Sequence, residues 1–484
     1  MDREILAVKR SPVRLAADAS LTITRLFWAG AERARKVIDR VAALDEMQVA
    51  RLLASTVRDF DHLNIDLEDI FLEHYEQVSQ RVRMPAAPTV KRMLLIGAYF
   101  TLEYAFASSA LFNPSMAPAI DQEGLDEGSL RFAMSLRAVG EGHLSSVVFR
   151  QGTIDRAGEI TMDPPGLFHE AARRVKNRQF TKATFRVQLA EMGMRDAVPD
   201  LVLEQLDDPF TLQDLLRVVN RIETQAETTA RRGGARQDFE WLGSYDYDIE
   251  SPPGANIAEL VLFPISEAES QGMEDMRLVR FVDDDGSPCY YGTYTAFNGR
   301  EILPQIIKMP RPGLAHVRTL SGRCARNKGL ALFPRKVQGH FMMSGRIDGE
   351  NLYIMKSDNI RVWDEAVLVQ EPHFPWEFVQ IGNCGSPIET EAGWLLLTHG
   401  VGPMRHYCIG AMLLDLHDPT KLIGRLERPL LIPEADERSG YVPNVVYSCG
   451  GLVHNGMLVI PYGISDAATG FATVSLDDLL ARLC

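Results

Sequence analysis

The sequence predicts a mainly β protein with two helical regions, and three features of its apolar pattern lead to this fold class. From about residue 257 almost to the end of the chain, short apolar runs recur about every 8–12 residues with turn residues between them, as in consecutive β-strands. Before about residue 112 the apolar residues instead recur every three or four positions, which is the spacing of an amphipathic helix. The helical spacing returns between about 166 and 230.

The first helical region spans residues 1–112. Its apolar residues include Val49, Leu53, Val57 and Phe60, whose spacing places them on one face of a helix. No residue in this region points to chemistry, so we interpret it as an N-terminal helical domain that docks or dimerises. If the protein forms a homo-oligomer, we expect the helical regions to make the contact.

One segment of this region, Met93 to Phe112, is mostly apolar and about as long as a membrane span. Glu103 lies in its middle, and a lone spanning helix would leave that charge in lipid at a high free-energy cost. The sequence therefore predicts a buried helix here and no membrane partner.

Residues 113–484 form the predicted β domain, interrupted by a helical insertion at about 166–230. Two strands, 131–137 and 144–150, precede the insertion, and Thr211 inside it is a predicted helix N-cap. The strand spacing after the insertion is typical of a sandwich, a barrel or a propeller, and periodicity alone does not separate them. The strand candidates are residues 258–264, 277–282, 289–296, 303–308, 330–334, 340–345, 351–356, 393–398, 407–415, 444–448 and 457–462.

Composition excludes several classes of function. The net charge of −14 argues against nucleic acid or an anionic membrane as the main partner, since both need a basic surface. The first residues show no secretory signal pattern, and the six cysteines lack C-x-x-C spacing, so we expect free thiols and a cytoplasmic protein. No metal-ligand spacing is present, so no metal is predicted.

A first block with chemical character is Gly272-Met-Glu-Asp-Met-Arg277, followed by a strand and then by Tyr290-Tyr-Gly-Thr-Tyr-Thr-Ala296. Two acids and an arginine at the start of a strand suit a pocket, where Arg277 would hold Asp275 ionised. Taken alone, the block fits a structural acid–arginine pair equally well.

Further blocks follow in order along the β region. Residues 327–351 alternate two strand-like apolar runs with charged residues, and residues 377–400 carry glycines that let backbone approach a ligand closely. The later blocks are Tyr407-Cys-Ile-Gly-Ala-Met-Leu-Leu-Asp415, Gly440-Tyr-Val-Pro-Asn-Val-Val-Tyr-Ser-Cys-Gly450 and Tyr462-Gly-Ile-Ser-Asp466.

Together these blocks resemble glycoside hydrolase family 130, the β-mannoside phosphorylases and their hydrolytic relatives. The family's Gly-x-Glu-Asp-Pro-Arg element is present with Met276 in place of proline, and Gly-Ser-Pro-Ile-Glu followed by Gly-Trp-Leu and His399-Gly matches a second signature. The resemblance covers about 113–470 without the helical regions. It implies a five-bladed β-propeller with the sugar site at the centre of one face. It also implies that Asp275 is the catalytic proton donor, acting through a mannose hydroxyl with inversion at the anomeric carbon.

The resemblance also marks a subsite for phosphate or another attacking group. Lys328 stands where phosphorylases usually have an arginine, which keeps the charge but loses the bidentate fork, and Arg346 matches a second phosphate arginine. Gln380 stands where a lysine is common, so one positive charge is missing. His399 and Tyr407 complete the predicted subsite as hydrogen-bonding groups.

The remaining predicted site residues are assigned to sugar binding, and some have alternative roles. Asp348 and Asp466 are carboxylates suited to sugar hydroxyls, although either is also suited to hold a turn. The full set assigned to sugar binding is Asn113, Arg137, Glu274, Arg277, Asp348, Glu350, Glu389 and Asp466.

We therefore predict an enzyme that cleaves β-mannosidic linkages in manno-oligosaccharides by phosphorolysis, giving mannose 1-phosphate, with inorganic phosphate as co-substrate and no cofactor. Inverting hydrolysis by water is the alternative, with Glu350 or Glu389 as the base. A second alternative is a sugar-binding propeller without catalysis.

Overall fold

The computed structural model of the protein describes residues 6–63, 65–84, 86–166, 173–175, 179–191, 197–225, 239, 245–251 and 256–483. The chain divides into two compact units. The smaller unit lies between Asp18 and Ser108, and the larger contains the described residues up to Ala17, those from Ser109 to Gly166 and those after residue 172.

The helices of the described residues lie mainly in the first hundred residues and in the segment predicted as an insertion. They are, in chain order, α1 (Ala31–Ala42), α2 (Glu46–Asp59), α3 (Leu67–Ser79), α4 (Val90–Tyr99), α5 (Lys182–Glu191), α6 (Ala197–Glu204), α7 (Leu212–Gln225) and α8 (Leu476–Leu483).

Strands account for most of the regular structure, so the prediction of a mainly β protein is confirmed. In chain order they are β1 (Lys9–Leu15), β2 (Thr22–Leu26), β3 (Thr101–Ala105), β4 (Ala110–Pro118), β5 (Leu130–Val139), β6 (Ser145–Ile154), β7 (Ile160–Met162), β8 (Arg173–Arg174), β9 (Gln179–Phe180), β10 (Phe210–Thr211), β11 (Tyr247–Glu250), β12 (Val261–Leu262), β13 (Gly272–Val282), β14 (Pro288–Phe297), β15 (Ile302–Arg311), β16 (Leu314–Thr319), β17 (Ala331–Leu332), β18 (Phe341–Gly345), β19 (Leu352–Ser357), β20 (Glu365–Gln370), β21 (Gln380–Asn383), β22 (Ile388–Thr390), β23 (Gly393–Val401), β24 (Tyr407–Leu414), β25 (Leu422–Arg425), β26 (Val446–Tyr447), β27 (Leu452–His454), β28 (Met457–Ile464) and β29 (Ala468–Ser475).

The smaller unit packs α1–α4 around a core of apolar side chains and adds the antiparallel pair β2–β3. Gly97 allows α3 and α4 to approach closely, because a Cβ there would lie 1.7 Å from the carbonyl oxygen of Phe71.

The predicted helix over residues 93–112 is wrong. Helix α4 ends at Tyr99, and the next residues form β3 and then β4. Strand β3 pairs with β2, which lies about eighty residues earlier, and Glu103 is exposed on this pair. Because the partner strand is so distant in sequence, the residues around β3 carry no hairpin pattern, and only its apolar residues are visible in the sequence. No helix of the described residues is long and apolar enough to cross a membrane.

The segment predicted as a helical insertion contains α5, α6 and α7, whose apolar residues share one core. Residues 167–172, 176–178, 192–196 and 226–230 of that prediction lie outside the described residues. Thr211 is the N-cap of α7, as predicted: its hydroxyl accepts from the backbone N–H of Asp214 at 3.2 Å. The Asp214 carboxylate in turn accepts from the backbone N–H of Thr211 at 3.1 Å.

The larger unit is built from antiparallel meanders that follow one another along the chain. Strands β4–β7 form one and β13–β16 a second, and a single parallel contact between Gly272 and Ser145 joins them into one sheet. Strands β17–β20 and β21–β25 form two further sheets. In the last sheet, β26–β29 are joined by β1, which pairs with β29.

Side chains of the central strands alternate between two cores, so that each sheet packs against others on both faces. In β23, Leu395 and Leu397 lie in a core with residues of β28 and β29, whereas Trp394 and Leu396 lie in a core with residues of β18 and β19. Burial on both faces explains why β23 reads as a continuous apolar run.

Candidate functional site

A cavity of about 180 Å³ lies in the larger unit and collects charged side chains from widely separated parts of the chain. Its lining consists of Asn113, Arg137, Asp275, Lys328, Arg346, Gln380, His399, Arg405, Tyr407, Val442, Val445, Tyr447 and Asp466. Two larger cavities, of about 610 and 410 Å³, also lie in this unit; of the predicted site residues they contain Glu389 alone, in the smaller of the two.

Asp275 reaches the cavity because its strand is distorted. The pairing of β13 with β14 shifts register between Glu274 and Arg277, and Asp275 adopts a left-handed φ of 53°. Such a bulge turns one side chain away from the regular alternation of the strand. Met276, which replaces the family's proline, is buried in the adjacent core.

Two groups hold the Asp275 carboxylate. The Asn113 side chain donates to Oδ1 at 2.7 Å, and the Arg137 guanidinium lies 3.4 Å from the same oxygen. Burial works toward a higher pKa of Asp275, but the charge of Arg137 and the hydrogen bond from Asn113 prevail and lower it below its usual value. In the free protein Asp275 is therefore a carboxylate at neutral pH.

Glu274 and Arg277 do not line the cavity, but they support residues that do. Glu274 is 11% exposed and accepts from Arg137 at 2.9 Å and from the Lys328 ammonium at 2.5 Å. Arg277 is buried and donates to the Tyr447 hydroxyl at 2.7 Å and to the backbone carbonyl of Asp275 at 3.2 Å. Glu274 thus balances the charges of two cations in the cavity wall. Arg277 holds Tyr447 and the backbone of Asp275 in place.

His399 is neutral and orders Arg346. Burial, together with the charges of Arg346 and Arg277, lowers the pKa of His399 well below its usual value. Its Nδ1 lies 3.2 Å from the carbonyl oxygen of Asn383, so this nitrogen carries the proton and donates. Nε2 is then the acceptor for the Arg346 guanidinium at 3.2 Å. The Tyr407 ring stacks on the imidazole at 6.1 Å.

Asp466 is the second carboxylate of the lining. Burial and the nearby Asp275 carboxylate raise the pKa of Asp466 to about 6, against the opposing effect of Arg137 and Arg405. Ser465 and Asp466 both have left-handed backbone, with φ of 48° and 54°, at the turn between β28 and β29. The strained turn directs this side chain to the cavity.

Besides Glu274 and Arg277, three more predicted site residues lie outside the cavity lining, which corrects the expectation that they meet the others. Asp348 is exposed and holds a turn, accepting from the backbone N–H groups of Glu350 and Asn351, each at 2.9 Å, and from the Tyr353 hydroxyl at 2.8 Å. Glu350 is exposed. Glu389 pairs with Arg335, whose Nε lies 2.7 Å away.

The cavity also contains residues that the sequence did not suggest. Arg405 lies between β23 and β24, where Met404 and Arg405 are consecutive left-handed residues with φ of 58° and 56°. Tyr447 lies in the block from Gly440 to Gly450 and is a lining residue, and Val442 and Val445 form an apolar part of the wall. Among the described residues, no group of three or more His, Cys, Asp and Glu side chains is placed to hold a metal.

A mainly β scaffold that gathers carboxylates and cations around a sugar-sized cavity is typical of a carbohydrate-active enzyme. Residues 254–483 match the family model of glycoside hydrolase family 130, described as beta-1,4-mannooligosaccharide phosphorylase. A 1,2-beta-oligomannan phosphorylase of Thermoanaerobacter sp. (strain X514) is 33% identical over 243 residues, which are 47% of this chain and 78% of the relative. A beta-1,2-mannobiose phosphorylase of the same organism is 34% identical over 247 residues, which are 49% of this chain and 79% of the relative.

The chain belongs to glycoside hydrolase family 130, and the prediction of the family is confirmed. The solved structure of a beta-1,2-mannobiose phosphorylase from Listeria innocua aligns with 78% of this chain and 92% of its own, with 21% identity and a TM-score of 0.45.

Proposed function

We propose that the protein cleaves β-mannosidic linkages of manno-oligosaccharides by phosphorolysis, with inversion, and releases mannose 1-phosphate. Relatives that are similar over more than three quarters of their length are phosphorylases of β-mannosides. The observation that carries the proposal is that Asp275 shares one cavity with the cations Lys328, Arg346 and Arg405. A phosphate dianion needs several converging donors to replace its hydration.

In the proposed reaction a mannose unit occupies the cavity beside Asp275. A phosphate oxygen attacks the anomeric carbon from the face opposite the leaving oxygen, and the bond to that oxygen breaks. The proton reaches the leaving oxygen from Asp275 through a sugar hydroxyl, as the resemblance implies. The products are mannose 1-phosphate of inverted configuration and the shortened saccharide.

Asp275 must carry a proton at that step, although it is ionised in the free protein. A phosphate dianion near Asp275 disfavours a second negative charge, so its arrival raises the pKa of the carboxylate. If Arg137 and Asn113 donate to sugar hydroxyls in place of Asp275, the carboxylate loses stabilising contacts, and this also raises its pKa. Substrate binding thereby converts Asp275 from carboxylate to acid.

Hydrolysis by water would instead require a base about 6.5–9.5 Å from the acid. The two bases considered from the sequence, Glu350 and Glu389, lie outside the cavity lining. The lining contains three cations, Lys328, Arg346 and Arg405, and this concentration of positive charge favours phosphate as the attacking group.

We further propose that the five meanders of the larger unit are the blades of a five-bladed propeller whose axis passes through the cavity. Support comes from the residues that each meander contributes to the lining: Asn113 from β4, Asp275 from β13, Lys328 just before β17, Gln380 from β21 and Tyr447 from β26. The pairing of β1 with β29 would close the last blade with the start of the chain. A cytoplasmic location, the domain boundary at residue 112 and self-association through the helical regions stay predictions.

The test incubates the protein with β-1,2- and β-1,4-linked manno-oligosaccharides, with and without inorganic phosphate. We expect α-mannose 1-phosphate, identified by phosphorus and proton NMR, only when phosphate is present. Release of free mannose at the same rate without phosphate would contradict phosphorolysis and select the hydrolase.

A further inference from the structure

The cavity is too small for the whole substrate. Its volume of about 180 Å³ lies below the roughly 300–1,000 Å³ of pockets that enclose a drug-sized ligand. If a mannose unit and phosphate occupy it, the sugar on the other side of the scissile bond must lie outside, against the rim.

Three exposed apolar residues are the immediate sequence neighbours of residues that line the cavity. Val379 precedes Gln380, Met404 precedes Arg405 and Tyr441 precedes Val442, with exposed fractions of 60%, 90% and 76%. Large apolar side chains left exposed next to a polar cavity mark a contact surface.

Tyr441 is the aromatic member of this rim, and its ring rests on another ring. The His143 and Tyr441 ring centroids are 6.1 Å apart with an interplanar angle of 27°, so the rings are stacked. His143 belongs to the turn between β5 and β6. Since the tyrosine is 76% exposed, stacking on His143 leaves its opposite face open.

The backbone on both sides of Tyr441 is anchored to the cavity. The backbone N–H of Val442 donates to the Ser465 carbonyl at 3.0 Å, one residue from Asp466. The carbonyl of Asn444 accepts from the backbone N–H of Tyr407 at 3.1 Å. Gly440 lies so close to Ser465 that a Cβ there would be 2.4 Å from its carbonyl oxygen. The ring is therefore carried by a fixed loop.

We propose that Tyr441, backed by His143, is the platform on which the first sugar beyond the scissile bond stacks. The C–H face of a pyranose packs on an aromatic ring, and a rigid tyrosine loses little conformational entropy in the contact. This inference rests on the proposed phosphorolysis, because it assigns the leaving sugar of that reaction. In the reverse reaction the same platform binds the acceptor.

The experiment uses the reverse reaction, in which mannose 1-phosphate fills the cavity and mannose or β-mannobiose is the acceptor. We expect Tyr441→Ala to raise the acceptor KM about ten-fold, and to leave the KM for mannose 1-phosphate within about two-fold. Tyr441→Phe keeps the ring and should behave like the wild type. His143→Ala should raise the acceptor KM by a smaller factor. Val367→Ala, which truncates an exposed apolar side chain on β20, is the control.

Two kinetic results for Tyr441→Ala would overturn the platform: an unchanged acceptor KM, or equal changes in the KM values for acceptor and mannose 1-phosphate. A third is a particle mass of Tyr441→Ala, measured by light scattering, that is lower than that of the wild type. This would show that the rim is a contact between copies of the chain. A wild-type protein that makes no product from mannose 1-phosphate would refute the proposed function instead. Calorimetric binding of β-mannobiose would then still decide the platform, since Tyr441→Ala should weaken it about ten-fold and Tyr441→Phe should not.

Discussion

Asp275 and Asp466 line the same cavity, and their pKa values are shifted in opposite directions. Burial opposes the charge of both, but Arg137 and Asn113 stabilise the Asp275 carboxylate and lower its pKa. Burial together with the charge of Asp275 raises the pKa of Asp466 to about 6. The environment therefore separates two chemically identical groups, as enzymes commonly do with paired carboxylates.

The separation has a consequence for substrate binding. Below about pH 6 Asp466 is neutral, so the cavity carries one negative charge fewer and repels an anionic ligand less. Removal of Asp275 should in turn lower the pKa of Asp466, because the charge that raises it disappears.

Replacement of Asp275 by Asn should abolish turnover while the saccharide still binds. A positioned general acid contributes about 10²–10⁴ in rate, so we expect kcat to fall by about 100- to 10,000-fold. The measurement is the rate of mannose 1-phosphate formation, combined with calorimetric binding of a manno-oligosaccharide. Retention of more than a tenth of the activity would mean that the proton comes from another group.

Replacement of Asp466 by Asn should stabilise the free protein at neutral pH. The folded pKa of about 6 lies above the 3.8 of an unperturbed aspartate, so the native state keeps the proton to higher pH than the unfolded chain does. Stability is therefore lost as the pH rises from about 4 through 6, and at pH 7 the loss is about 3 kcal/mol.

We expect Asp466→Asn to raise Tm at pH 7.5 by about 2–4 °C and to change it much less at pH 4.5. Thermal unfolding followed by circular dichroism at both pH values measures the difference. An equal shift at the two pH values would show that the charge of Asp466 is not its cause. The saccharide KM should rise in the same variant if Asp466 accepts sugar hydroxyls.

Replacement of Glu350 or Glu389 by Gln should leave kcat within about two-fold of the wild type. Glu350 is exposed, and Glu389 pairs with Arg335 outside the cavity lining. The ion pair is partly exposed, so its loss should cost less than about 1 kcal/mol of stability. A loss of activity of 100-fold or more in either variant would restore the hydrolytic alternative, in which one of them activates water.

The sequence was informative where a motif ties a side chain to a fixed backbone. Asp275, Arg346 and His399 were assigned from family blocks, and the structure brings all three to one cavity. Asp348 and Glu389 belong to the same blocks, but their turn and their partner, Arg335, direct them elsewhere. Membership in a block does not tell which way a side chain points.

Two features depended on contacts that no local pattern reveals. Strand β1 pairs with β29 at the other end of the chain, so its polar residues gave no strand signal. Arg405 stands in a sequence that reads as an ordinary turn, Gly402-Pro-Met-Arg405, and its place in the cavity depends on two consecutive left-handed residues. Backbone of that kind is costly and is seldom evident from residue type.

We expect Arg405 to supply the positive charge that is missing at Gln380, where the related phosphorylases commonly have a lysine. The charge of Lys328 is balanced by Glu274 at 2.5 Å. Among the described residues, neither Arg346 nor Arg405 forms a salt bridge, so both guanidinium groups are available to an anion in the cavity. We expect Arg405→Gln to raise the KM for phosphate about ten-fold and to change the saccharide KM little.

A compensating variant separates loss of charge from loss of structure. Gln380→Lys places a cation at another point of the same wall, so in the Arg405→Gln background it should recover most of the phosphate affinity. The comparison uses initial rates at saturating saccharide over a range of phosphate concentrations, at two ionic strengths, since added salt should weaken both cation contacts. If the double variant binds phosphate no better than Arg405→Gln alone, Arg405 acts through the shape of its loop and not through its charge.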